Sequence, residues 1–149
     1  MLPQETGQAA FAAIQEIVAK LEADPDTDWS KVNIETLRQH LIDMNDVTLR
    51  AKIIVESQSN GRKFVVTGDG TVVGSIQRMV MGHAATMSGK DGWTMVAEAI
   101  ANGTKLDVKP PGPGMLAKLD GLGFIGLMTM VMHHQEHHWM IAKGNAPHH

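Results

Sequence analysis

Four histidines lie close together near the C-terminal end of the chain: His133, His134, His137 and His138. They form two interlocked pairs, His133/His137 and His134/His138. On a helix, a spacing of four residues places both side chains of a pair on one face, about one turn apart. Two imidazoles in this arrangement can bind one metal ion, as those of the H-E-x-x-H motif do. The spacing predicts a metal site but leaves open which pair faces inward.

Two further histidines lie along the apolar stripes of predicted helices. His40 lies between Leu37 and Met44, and His83 follows Ile76 by two helical turns. A lone histidine on such a stripe is more often a core residue bonded to backbone than a metal ligand. The alternative is that these imidazoles converge on the same ion as the late cluster.

The chain resembles itself around these histidines. His40-Leu-Ile-Asp-Met44 matches His83-Ala-Ala-Thr-Met87, and Val80-Met-Gly-His83 matches Val131-Met-His-His134. Equivalent positions in packed repeats can meet at one point. We therefore predict a transition-metal site (Zn, Fe, Ni or Cu) formed by four candidate ligands: His40, His83, His134 and His138. Three imidazoles with one open position are typical of a catalytic metal rather than a structural one.

Glu136 lies inside the late histidine cluster and is the best candidate for a general base acting on metal-bound water in a hydrolase or oxidoreductase. Other roles fit equally: an acceptor that orients an imidazole, or a solvent-facing acid that pairs with Lys143. Asp43, close to His40 in sequence, is a weaker candidate. The pattern does not determine whether the protein is an enzyme.

Two other functions remain open. Haem could be held by His40, His83 or the late cluster, since histidine and methionine are both axial ligands. Alternatively, the protein is a non-catalytic homo-oligomeric interaction module whose histidines form a pH-sensitive interface. In that case, the apolar run Leu122–Met132 is the predicted dimer face.

Hydrophobic periodicity predicts helices over residues 4–23, 33–49, 71–87 and 114–143. Asn60-Gly61 lies between two β-branched runs, which is the strongest short-range signal of a β-hairpin. Residues 92–109 are ambiguous, because their apolar spacing fits a short helix while Asn102-Gly103 fits a second hairpin.

The internal similarity favours the hairpin. Asn60–Val66 matches Asn102–Val108, so the two segments are expected to share a conformation. We predict a single α+β domain over 1–149, internally duplicated over 33–68 and 71–109, with the order α-(αββ)-(αββ)-α and a tail at 144–149. The two hairpins would join in one antiparallel sheet, since a lone hairpin is marginal in water. The alternative is an all-α four-helix bundle.

Composition narrows the function classes. Hydrophobic residues make up 43% and charged residues 19% of the chain, which is typical of a globular protein. The net charge of −3 has no basic patch, which argues against nucleic-acid or anionic-membrane partners. The absence of cysteine excludes disulfides, thiolate metal sites and thiol nucleophiles. No signal peptide or apolar run long enough to span a bilayer is visible, so a cytoplasmic protein is expected.

One family resemblance rests on two segments, Leu37-Arg-Gln-His-Leu-Ile-Asp-Met44 and His134-x-x-x-His138. Together they resemble the DinB/YfiT-like superfamily of helical bundles, many of which hold a divalent metal by one histidine of the second helix and two of a late helix. The resemblance implies His40, His134 and His138 as ligands. It covers about a quarter of the chain, and the two Asn-Gly hairpins depart from the family's bundle.

Overall fold

The computed structural model describes residues 6–130 and 140–144. These residues fall into two compact units, one formed by 6–42 with 140–144 and the other by 43–130. The sequence predicted one domain over 1–149, and the two units subdivide it. The second helix contributes residues to both.

The first unit is helical. Helix α1 covers Thr6–Ala23, and helix α2 covers Ile34–Arg50, of which residues 34–42 belong to this unit. Asn33 is the N-cap of α2, because its side-chain Oδ1 accepts a hydrogen bond from the Thr36 backbone N–H at 3.1 Å. The amphipathic spacing of both helices is reflected in their buried apolar side chains: Ile17, Leu21, Leu37 and Leu41.

The second unit contains the sheet. After α2 come β1 (Lys52–Gln58), β2 (Gly61–Thr67), α3 (Thr71–Met87), β3 (Thr94–Ile100), β4 (Gly103–Lys109) and α4 (Leu116–Thr129). Single turns of 3-10 helix precede β3 and α4, at Lys90–Gly92 and Pro113–Met115. The α+β order predicted from the sequence is confirmed. The all-α alternative is wrong, because both Asn-Gly segments turn between paired strands.

The two hairpins form one antiparallel sheet in the order β1-β2-β4-β3. Every strand of the second hairpin begins and ends at a constant offset from its counterpart, so that Lys52 corresponds to Thr94 and Gly61 to Gly103. In the central β2–β4 pair, Phe64 lies opposite its own counterpart, Leu106. The hairpins are therefore related by an approximate two-fold axis through this residue pair. Duplication of an ancestral segment remains our inference from this geometry.

One face of the sheet is covered by α3 and α4. Strand residues on this face alternate with outward ones, and Phe64, Val66, Leu106 and Val108 are buried there. Ile76 and Val80 of α3 and Leu119, Phe124 and Leu127 of α4 belong to the same core. The rings of Phe64 and Phe124 lie 6.2 Å apart, centroid to centroid, and are tilted by 50°. This core fixes the positions of α3 and α4 relative to the sheet.

Two glycines allow the central strands to approach each other closely. A Cβ atom on Gly61 would lie 2.1 Å from the backbone oxygen of Val108, and one on Gly103 would lie 1.8 Å from that of Val66. The two contacts are equivalent under the approximate two-fold relation. Each glycine is the first residue of its strand, so it is needed for the close approach of β2 and β4 rather than for the turn itself.

The last described helix is shorter than the sequence suggested. A continuous helix was expected over 114–143, whereas α4 ends at Thr129 and Met130 has extended backbone angles. Within α4, Gly123 leaves the helical conformation, with φ 62° and ψ −168°. The glycines at 121, 123 and 126 explain this break, since each lacks the side chain that favours helix. Residues 140–142 are again helical.

No helix within residues 6–130 or 140–144 is long and apolar enough to cross a membrane.

Candidate functional site

His40, the first predicted ligand, lies on α2 in the first unit. Its side chain is half-buried, beside the fully buried Leu37 and next in sequence to the buried Leu41. The predicted position beside the apolar stripe of α2 is therefore confirmed.

The first unit also contains residues that directly follow the late histidine cluster. The Asn33 backbone N–H donates to the Ala142 carbonyl at 2.9 Å. Gly144 lies so close to Lys31 that a Cβ at this position would be 2.8 Å from the Lys31 backbone oxygen. Ile141 and Ala142 are buried. Residues 140–144 therefore pack against the segment that leads into α2.

The remaining predicted site residues of the cluster, His134, Glu136 and His138, lie outside the described residues, as do His133 and His137. Among the described residues, no group of three or more His, Asp or Glu side chains is arranged to hold a metal ion. Ligation by this cluster therefore stays a prediction.

His83 lies on the core face of α3, as its spacing from Ile76 predicted, and only 4% of its surface is exposed. Its Nε2 atom is 3.1 Å from the Leu127 carbonyl oxygen. Because a carbonyl only accepts, Nε2 carries the hydrogen. The Leu127 carbonyl lies in the last turn of α4, where it also accepts a hydrogen bond from the Met130 backbone N–H at 3.1 Å, so the imidazole is its second donor.

His83 therefore has a structural role, because its hydrogen bond joins α3 to the end of α4. An imidazole whose Nε2–H is bonded to a backbone carbonyl can still ligate a metal through Nδ1. Its role as a ligand therefore remains a prediction, whereas the contact with Leu127 is an observed part of the second unit.

A buried polar network links α2 to α3 within the second unit. Asp43 and Asp46 of α2 are 4% and 3% exposed, and Ser75 of α3 is 1% exposed. The Ser75 hydroxyl oxygen lies 3.0 Å from Asp43 Oδ1 and 2.8 Å from Asp46 Oδ2. One hydroxyl has one hydrogen, so it can donate fully to only one of these carboxylates at a time.

Two arginines balance the carboxylates. Arg78 donates two parallel hydrogen bonds to the Asp43 carboxylate, from Nε and Nη2, each 2.9 Å long. Arg50 Nη1 lies 2.7 Å from Asp46 Oδ1. The hydrogen bonds to Asp43 raise the pKa of Arg78 above its usual value. The network carries no net charge, which explains how two carboxylates are tolerated so deep in the unit.

From the sequence, Asp43 was only a weak candidate for a role beside His40, and Asp46 and Ser75 were not identified. A signal was present: Asp43 and Asp46 are three residues apart on α2, and Ser75 lies between Val72 and Ile76 on the buried stripe of α3. Polar residues at core-facing positions of two helices predict a buried contact. The network has charge-balanced partners, and its chemistry is that of a structural link.

Comparison of the chain with protein-family models, with curated protein sequences and with solved structures gave no match.

Proposed function

We propose that this protein binds a divalent transition metal through three histidines, His40 of α2 together with His134 and His138. The observation that carries the proposal is the hydrogen bond from the Asn33 N–H to the Ala142 carbonyl. It ties the chain that emerges from the histidine cluster to the beginning of the helix on which His40 lies.

The distances along the chain are compatible with this ligand set. His40 follows Asn33 by seven residues, which is about 10 Å along an α-helix. His138 and His134 precede Ala142 by four and eight residues, or about 6 and 12 Å if that segment is helical. If that segment ran antiparallel to α2, His138 and His134 would lie on either side of His40 along the helix axis. The same three positions follow from the resemblance to the DinB/YfiT-like superfamily.

The donor set indicates which ions would bind. Three neutral imidazoles suit Zn, Fe, Ni or Cu and leave one position open for water or substrate. Glu136, between the two late histidines in sequence, is the residue we assign as proton acceptor if the site is catalytic. Affinity should fall below about pH 6.5, where free imidazole becomes protonated and ceases to be a ligand.

Isothermal titration with Zn²⁺ tests the proposal on the full chain purified without a nickel column. The background carries His148→Ala/His149→Ala, which removes the terminal histidines as adventitious ligands. In that background, His134→Ala/His138→Ala should weaken binding roughly a hundredfold or more, since even the loss of an outer-shell partner costs 10–100-fold. His40→Ala should have a similar effect.

The matched control is His133→Ala/His137→Ala, which removes the other pair at the same spacing and should leave binding unchanged. If this control loses the metal while His134→Ala/His138→Ala retains it, the ligand assignment is wrong. Failure of the background protein to bind Zn, Fe, Ni or Cu would refute metal binding altogether. An absorption spectrum of the same sample tests the haem alternative, which requires a Soret band.

A further inference from the structure

We propose that β1 is a homodimerisation edge, on which a second copy of the chain pairs antiparallel about Ile54 and extends the sheet to eight strands. This surface differs from the predicted dimer face Leu122–Met132. In that run, Phe124, Leu127 and Met128 are buried in the core of the second unit.

The position of β1 leaves one row of its backbone groups outside the sheet, because β1 is an edge strand. Gln58 and Gly61 flank the two-residue turn and pair with each other, and hydrogen-bonded pairs alternate along an antiparallel ladder. Gln58, Glu56 and Ile54 therefore direct their backbone groups toward β2. Ser57, Val55 and Ile53 direct theirs outward.

The same alternation is visible across the rest of the sheet. Even-numbered residues of β2 face β4, and the ladder continues into a hydrogen bond from the Gly68 N–H to the Asn102 carbonyl at 3.0 Å. In the described part of the chain, the outward backbone groups of Ile53 and Val55 bond to no other residue.

The opposite edge is protected where β3 begins. The outward N–H of Met95 donates to the Ser88 hydroxyl oxygen at 3.3 Å. The Gly89 N–H donates to the Trp93 carbonyl at 2.7 Å, so the connection from α3 folds beside this end of the strand. The approximate two-fold relation between the hairpins is therefore broken at their edges, because the first outward N–H of β3 is bonded within the chain, whereas the outward groups of Ile53 and Val55 in β1 are not bonded to any described residue.

The side chains of β1 are unusually apolar for an exposed edge. Ile54, on the outer face of the sheet, is 61% exposed, and Val55, on the helix-covered face, is 52% exposed. Edge strands of monomeric proteins are commonly blunted by charge, proline or a bulge. Here, three consecutive apolar residues, Ile53 to Val55, are the second to fourth residues of the strand.

The order of residues in β1 is complementary to itself in the antiparallel direction. Pairing about Ile54 places Lys52 of each copy opposite Glu56 of the other and Ile53 opposite Val55. Ile54 then faces its own copy. Both charges lie on the outer face and both apolar pairs match, which is the pattern that stabilises cross-strand neighbours. Centring the pair on Ile53 or Val55 instead would oppose Ile54 to a charged residue.

This register also matches the free backbone groups. Ile53 and Val55 point outward, so the two Ile53–Val55 pairs are hydrogen-bonding pairs, and together they would form about four backbone bonds. Two β1 strands close the assembly as a symmetric dimer, whereas β1 on β3 would propagate without closing. Self-complementarity of charge favours a second copy over an unrelated peptide.

Sedimentation velocity on the full chain tests the proposal. A pairing of this size lies at the weak end of specific interfaces, so we expect dimer with Kd of roughly 10–100 µM. Ile54→Lys should yield monomer at every concentration, because two lysines would then face each other. The matched control is Val96→Lys, at the equivalent position of β3, which is 59% exposed. It should leave dimerisation unchanged.

Charge reversal tests the register. Lys52→Glu and Glu56→Lys should each weaken dimerisation roughly tenfold to thirtyfold, and the double variant should restore it, since the pair is re-formed with opposite polarity. Val55→Pro should also yield monomer, because it removes an outward N–H that the monomer's own ladder does not use. Circular dichroism confirms that each variant is folded.

Three outcomes would overturn the proposal. The wild-type chain could remain monomeric up to about 300 µM, well above the expected Kd. Dimerisation could survive Ile54→Lys, or it could be lost in Val96→Lys instead. Single charge reversals that the double variant fails to rescue would exclude the Ile54-centred register.

Discussion

Replacement of Asp43 by alanine should destabilise the second unit by about 2–3 kcal/mol, more than replacement of its neighbour Asp46. Asp43 is 4% exposed and accepts two hydrogen bonds from Arg78, both 2.9 Å long, besides its contact with Ser75. Each hydrogen bond to a charged group contributes about 1.5–3 kcal/mol. The expected loss is smaller than the sum of the two hydrogen bonds, because the Arg78 side chain is 47% exposed and is rehydrated once its partner is removed.

Asp46→Ala should cost only about 1 kcal/mol. Its arginine partner, Arg50, is 62% exposed, so that ion pair contributes little. The substitution also removes one of two carboxylates that share the Ser75 hydroxyl, which relieves part of their repulsion. Ser75 can then donate to Asp43 without competition.

Urea unfolding at neutral pH, followed by circular dichroism, measures both changes. A third variant, Glu35→Ala, is the control, because it breaks an ion pair on the same helix in which both side chains are more than half exposed. It should shift the midpoint by less than about 0.5 kcal/mol. Equal losses for Asp43→Ala and Asp46→Ala, or an Arg78→Ala variant as stable as wild type, would refute this account of the network.

Three further predictions concern other contacts of the second unit. Gly61→Ala and Gly103→Ala should each lower the free energy of unfolding by more than about 3 kcal/mol, whereas Gly114→Ala, where a Cβ meets nothing within 4 Å, should be nearly neutral in the same urea titration. Arg62 holds the pKa of Asp120 below its usual 3.8, so the ion pair stabilises the fold above that pH. The difference in the free energy of unfolding between wild type and Asp120→Asn should therefore shrink as the pH falls below about 4. A difference as large at pH 2 as at neutral pH would contradict this. His83→Leu should cost about 1–2 kcal/mol in thermal unfolding, because the Leu127 carbonyl loses its imidazole donor, and a variant as stable as wild type would show that the bond contributes nothing.

The elements of the second unit were largely predictable because local signals and tertiary pairing agree there. Helix α3 has the bounds expected from its apolar spacing, 71–87. Residues 92–109 were ambiguous alone, since the spacing of Trp93, Val96 and Ile100 also fits a helix. Comparison with the first Asn-Gly hairpin favoured strands for these residues. The physical reason that they form strands is the pairing of β4 with β2.

The features that sequence reasoning missed depend on contacts between distant residues. The sequence around Asp46 and Ser75 does not show that the two side chains meet across two helices. It shows only that each lies on the buried stripe of its own helix. The break at Gly123 was foreseeable as a weakness of the last helix, but its positive φ is a property of the folded chain. The position of β1 at an edge of the sheet could not be anticipated, because it depends on the order in which the four strands pair.

The two proposals rest on different units and can therefore fail separately. Metal binding depends on His40 and on the anchor between Asn33 and Ala142, all in the first unit. Dimerisation depends on β1, in the second unit, and on side chains that ligate no metal. If Ile54→Lys yields a monomer that still binds Zn²⁺, dimerisation is not needed to complete the site. If instead the monomeric variant loses the metal, the interface and the site are coupled, and metal affinity should then rise with protein concentration in the wild type by mass action.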